Sequence, residues 1–132
     1  MNGTFVGACL GFLCSVLFTL FPPENPSQIS ALIASIAGTL FGFSFAGISI
    51  MTALSGHVIT AMKKYGHYKR MLTDLFAAAS FLLLSMVVAL IAVWMGSYFI
   101  EVATVALFGF ALGHVLSAGH KFYAIVDTIS EV

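Results

Sequence analysis

Charge is the scarcest property of this chain. Its 132 residues carry five Lys or Arg and five Asp or Glu, 8% in all, against 61% hydrophobic residues. A soluble domain carries about 25% charged residues. Ten charges cannot cover a globule of this size with water-soluble surface, so the chain reads as an integral membrane protein. The formal net charge is +0. A nucleic-acid binder needs a basic surplus to neutralise phosphates, so nucleic acid is not expected as a partner. Cysteine is scarce too. Cys9 and Cys14 lie about 140° apart around one helix, cannot bridge each other, and read as small core hydrophobes. C-x-x-C, HExxH, GxSxG and Walker motifs are all missing, and no His, Cys and carboxylate cluster has metal-ligand spacing. The expectation is a non-enzymatic protein with no metal and no cofactor.

What the chain does have is apolar length. Charges are absent from Met1–Pro23, Ile29–Met62, Leu75–Ile100 and Val102–His120. A membrane helix needs about 20 apolar residues, and lipid offers backbone groups no water, which favours helices. The runs predict an all-α, four-transmembrane-helix bundle forming a single membrane domain over 1–132. Its spans fall at about residues 4–21, 29–51, 75–94 and 99–122, with a turn at Met95-Gly96-Ser97. Met1–Leu20 has no basic n-region and no small-residue cleavage site before Pro22, so it reads as a span rather than a signal peptide.

Lys63, Lys64, Lys69 and Arg70 fall between spans two and three, and Lys121 follows span four; Glu24 and Glu101 fall on the opposite side. The positive-inside rule then places both termini in the cytoplasm, N-in and C-in, in a bacterial inner membrane. Trp94 and Tyr98 mark the outer interface, and Tyr65, Tyr68 and Tyr123 the inner one.

Ile29–Met62 as one helix would be about 51 Å long, against a hydrocarbon core of about 30 Å. Asn25 as N-cap and Pro26 at the first helical position signal its start. Lys63, Lys64 and Gly66 signal its end. Helix two is therefore expected to run unbroken to about Tyr65, past the membrane boundary. With a third helix starting near His67, it makes a short cytoplasmic hairpin. Lys63, Lys64, His67, Lys69 and Arg70 are its candidate surface for a soluble cytoplasmic partner; lying along lipid headgroups is the alternative. The overshoot has an apolar face at Ile50, Leu54, Val58, Ala61 and Tyr65 and few basic residues, which favours docking.

Membrane helices pair through close backbone approach at small residues. Span one carries Gly3, Gly7, Gly11, Ser15 and Thr19 at four-residue spacing. Span two carries Ser30, Ala34, Gly38, Gly42 and Ala46, and span four Gly109, Gly113 and Ser117. Span three has no such ladder. The expected packing glycines are Gly3, Gly7, Gly11, Gly38, Gly42, Gly109 and Gly113. Three ladders exceed what one bundle centre needs, which points to a homo-oligomer in the lipid bilayer.

One ionisable residue lies deep in a span. His114 is the intramembrane polar candidate, with Ser44, Ser85 and Cys9 at similar depth as expected partners. His57 and His120 lie elsewhere, so bis-His haem ligation is not expected. Glu101 reads as a hydrated boundary residue. Asp74, four residues after Arg70, reads as one of a helix-surface pair.

The run Gly42-Phe-Ser-Phe-Ala-Gly-Ile-Ser-Ile, followed by Lys63-Lys-Tyr-Gly-His-Tyr-Lys-Arg-Met-Leu-Thr-Asp-Leu, resembles small four-span bacterial inner-membrane proteins of antiphage defence systems, of the Kiwa membrane-subunit type. The likeness covers about residues 38–90. It implies an oligomeric inner-membrane sensor or effector working with a cytoplasmic protein. The functional expectation is thus a sensor, pore or membrane-perturbing effector. The alternative is a small membrane-anchor or transport subunit that uses His114 in an ion, proton or quinone pathway.

Overall fold

The computed structural model describes residues 2–53, 60, 63–64 and 66–130. Among them every regular element is helical. The helices are α1 (Gly3–Leu20), α2 (Pro26–Ala53), α3 (His67–Met95) and α4 (Tyr98–Ser130). Each is long and apolar enough to cross a membrane, and the chain is a multi-pass membrane protein. The expected unbroken continuation of the second helix to Tyr65, with its two faces, falls on residues 54–59, 61–62 and 65, which lie outside the described residues; Lys63 and Lys64 are helical and exposed.

Local chemistry sets the helix ends. Asn2 caps α1 by accepting the Thr4 N–H at 3.3 Å. Pro26 opens α2, where its missing N–H costs nothing. Gly96 adopts φ 59° after α3 and donates its N–H to the Ala92 carbonyl. That left-handed turn suits glycine and lets α4 start two residues later. α3 begins at His67, as expected. α4 outruns the expected boundary by eight residues, because nothing after Phe122 breaks a helix.

The helices run alternately up and down in a bent row. α3 and α4 form the central pair; α1 packs on α4, and α2 packs on α3 with a smaller contact to α4. Phe18 meets Tyr98 at one end, with ring centroids 6.2 Å apart. Asn2, Lys69, Arg70 and Lys121 meet at the other, so the start of α1, the start of α3 and the late turns of α4 share a basic end. Met51 of α2 packs on Met71 of α3 near that end, and the Tyr68 hydroxyl donates to the Met51 carbonyl.

The interior is small and the exterior is large. Ala37, Ala78, Ala89, Ala92 and Ala111 are fully buried, while Phe5, Phe12, Phe43, Trp94 and Phe99 are at least 70% exposed. Burying large apolar groups gains little when the surroundings are hydrocarbon, so close packing takes over as the selective force. The α1–α4 contact is the tightest. A Cβ added to Gly7 would lie 2.6 Å from the Phe110 carbonyl oxygen, and one on Gly109 would lie 2.8 Å from the Gly11 Cα. Gly113 faces Gly7 more closely still.

The ladder of span two does not behave as one stripe. Ser30 and Ala34 are buried, Gly38 is half-buried against Met86, and Gly42 and Ala46 are exposed. A Cβ on Gly42 would meet nothing within 4 Å. The expected packing role of Gly42 is corrected accordingly. Each four-residue step advances about 40° past a full turn, at 3.6 residues per turn, so a five-member ladder winds off its interface. The buried face of α2 instead follows Ser30, Ile33, Ala37, Ser44, Ile48 and Met51. Cys9 is also exposed rather than in the core, and Cys14 is half-buried.

A buried ion pair beside an intramembrane histidine

Asp74 organises the candidate site. It sits two turns into α3 and is only 8% exposed. This corrects its expected place in a surface pair with Arg70: at i+4 it has rotated inward, and Arg70 is exposed. Its Oδ2 accepts a hydrogen bond from Ser117 Oγ at 2.9 Å and a second from Lys121 Nζ. Both donors come from α4, so the carboxylate ties the central helices together. A carboxylate buried this far is tolerable because a cation and a hydroxyl satisfy it.

His114 lies one turn further in on α4 and is 5% exposed. It faces the interior, as expected. Its neighbour is not Ser44, Ser85 or Cys9, however. Nδ1 lies 3.6 Å from Asp74 Oδ1 and has no hydrogen-bond partner. Only a protonated Nδ1 suits that neighbour, since a bare lone pair would face a carboxylate oxygen. A movement of a few tenths of an ångström would close the bond. Ser85 is fully buried in α3, and its Oγ has no partner.

The cluster has a floor, a lid and an opening. Phe81 stacks on the imidazole with centroids 5.7 Å apart, and Phe110 meets it edge-on at 5.1 Å. These rings, in edge-to-face contact with each other at 4.6 Å, close the side toward the middle of the membrane. Gly3 of α1 covers a second side. A Cβ there would lie 2.8 Å from His114 Nδ1 and 3.0 Å from Asp74 Oδ1, so glycine leaves the site its room. Asp74 also borders an open cleft of about 870 Å³ at the basic end, lined by Asn2, Thr4, Lys69, Arg70, His120 and Lys121.

The expected site residues are thus spread over several places. Gly3 lies against the cluster, while Gly7, Gly11, Gly109 and Gly113 hold α1 on α4. Lys69 and Arg70 are exposed and line the cleft. His67 opens α3, and Lys63 and Lys64 precede the turn at Gly66. Glu101 is 4% exposed, not hydrated as expected; it occupies the first turn of α4, where the helix N-terminus favours a negative charge. Asp74, Ser117 and Lys121 were not expected at the site. A signal for them was present. Asp74 with Lys121, and Phe81 with His114, are both centred on the junction after Ser97, so an antiparallel hairpin turning there sets each pair face to face.

Among the described residues no three His, Cys, Asp or Glu side chains are grouped to hold a metal ion. Comparison with protein families, curated proteins and solved structures finds no match.

Proposed function

We propose that this protein is a non-enzymatic membrane sensor whose response runs through the Asp74–Lys121–His114 cluster. The observation that carries this reading is a buried carboxylate already paired with one cation, with an imidazole nitrogen 3.6 Å away and unbonded. Protonating that imidazole adds a second cation beside Asp74, and deprotonating it removes one. The change falls at the junction of α1, α3 and α4, where Gly3 leaves no slack. Asp74 from α3 faces His114, and Lys121 from the same helix as His114 bonds the other oxygen of Asp74, while the described part of α1 contributes only uncharged residues. A sensor is favoured over a proton or ion pathway because Phe81 and Phe110 cap the imidazole on the side away from the cleft.

In this reading both termini face the cytoplasm of a bacterial cell, by the bias of basic residues to one end. The protein works as a homo-oligomer that a cytoplasmic partner engages at Lys63, Lys64, His67, Lys69 and Arg70, and the resemblance to antiphage membrane subunits supports a role in defence. Assembly is supported by the outer face of α2. Ala31, Ser35, Thr39, Gly42, Ala46 and Ser49 are all exposed there and fall within about 80° of one another at 3.6 residues per turn. Thr39 and Ser49 bond their own helix carbonyls, and the side chains of the stripe are small enough for close approach.

The test is amide exchange in lipid nanodiscs at pH 5.5 and 7.5, corrected for intrinsic rates. Protection over residues 3–11 and 109–117 should differ between the two conditions, and His114→Gln should abolish the difference. An unresponsive wild type, or a glutamine variant that responds like it, overturns the sensor reading. Proton flux into liposomes that depends on His114 would establish the transport reading in its place.

A further inference from the structure

The geometry points to a binding site for a phosphate-bearing anion in the cleft at the basic end, the source being a phospholipid headgroup or free phosphate. Four features converge there. The first is volume: the cleft measures about 870 Å³ and is open to the surface, within the size range of sites for small ligands. The second is charge. Lys69, Arg70, Lys121 and His120 line it, with Asp74 as the lining carboxylate. Lys121 is spent on Asp74, so Lys69 and Arg70 remain as the cations that an incoming anion meets. Arg70 offers a planar fork of donors suited to phosphate oxygens.

The third feature is the backbone. α1 and α3 both begin at this end, and neither has an acidic residue in its first turn. Helix N-termini carry a partial positive charge that favours an anion; Asn2 caps the start of α1, whereas that of α3 has no side-chain cap. Lys69 and Arg70 lie in the first turn of α3, where a cation opposes the helix dipole. That placement costs stability unless a negative group sits nearby. The fourth feature is hydrogen bonding. Asn2, Thr4 and Thr73 surround the cations with neutral polar groups, which can donate to phosphate oxygens without adding charge. The first turn of α1 also presents Phe5, 70% exposed, next to Thr4, an apolar flank for an acyl chain. Basic pockets between membrane helices are suited to anionic headgroups.

This site does not rest on the sensor reading, since it needs Lys69 and Arg70 rather than His114. The experiment compares wild type with Lys69→Gln/Arg70→Gln in nanodiscs of equal phosphatidylglycerol and phosphatidylcholine. Native mass spectrometry then reads the lipids retained on release. Lys63→Gln/Lys64→Gln is the control: it removes the same charge from residues that do not line the cleft. A second arm titrates inorganic phosphate, against chloride at matched ionic strength, into protein in phosphatidylcholine alone, by calorimetry. A headgroup site predicts several-fold enrichment of phosphatidylglycerol on wild type and control, falling toward parity in the cleft variant. A free-phosphate site predicts phosphate heat that the cleft variant loses, with no lipid preference. Absence of both signals overturns the proposal, and so does a signal that the two double variants weaken equally. Lys69 and Arg70 are exposed, so the cleft variant should fold, and circular dichroism checks that it does.

Discussion

Gly3 shows how much a single residue controls at the Asp74–His114 site. Its missing side chain is the space in which the imidazole and carboxylate face each other. Gly3→Val should push α1 off α4 or displace His114, at a cost of about 1–3 kcal/mol, as overpacking does. Thermal unfolding of the purified protein checks this, and the exposed Thr4→Val should serve as the neutral comparison. His114 was legible because an ionisable group at that depth is expensive and stands out. Asp74 was not, because a carboxylate at a span boundary next to Lys69 and Arg70 fits a hydrated helix surface equally well. Its burial depends on the rotation of α3 against α4, which only the hairpin register supplies.

At the scale of the helix, spacing decides which small residues matter. The glycine stretches of the α1 and α4 ladders span few enough turns to face each other, so Gly7, Gly11, Gly109 and Gly113 pack at contact. The ladder of α2 winds from Ala34 at the interface to the exposed Gly42, as that of α1 winds from Gly11 to the exposed Thr19. α3 has no four-residue ladder, yet Ala78, Leu82, Ser85, Ala89 and Ala92 are fully buried. Their steps alternate between three and four residues, which holds one face toward the partner. Gly113→Leu should therefore disrupt the fold of a single chain, with loss of thermal stability of about 3 kcal/mol or more, beyond the usual overpacking range because backbone cannot yield. Gly42→Leu should leave that stability within about 0.5 kcal/mol, as for an exposed site, and should instead reduce the oligomer seen by native mass spectrometry. Equal effects of the two substitutions on stability would contradict the division between inner and outer stripes.

At the scale of the whole molecule, the number of helices and their membrane character follow from the distribution of ten charges, because apolar length alone determines what can sit in lipid. The order of packing does not follow from it. A loop joins α1 to α2, yet α1 packs on α4, where the glycines of the two helices face each other; α2 and α3, neighbours in the chain, do pack together. The basic end gathers Lys69, Arg70 and Lys121, and by the positive-inside rule reporter fusions at Gly66 and after Val132 should both read cytoplasm. A periplasmic signal at either position would reverse the proposed orientation.

The central claim is that one buried ion pair ties α3 to α4 beside His114. A double-mutant cycle tests it most directly, with thermal or denaturant unfolding of wild type, Asp74→Leu, Lys121→Leu and the double variant. Removing one partner strands the other charge, so each single change should cost about 3 kcal/mol. Removing both replaces the pair by apolar contacts, and the double variant should regain most of that loss. Losses from the two single changes that simply add, or single changes without effect, would contradict the buried pair and the site built on it.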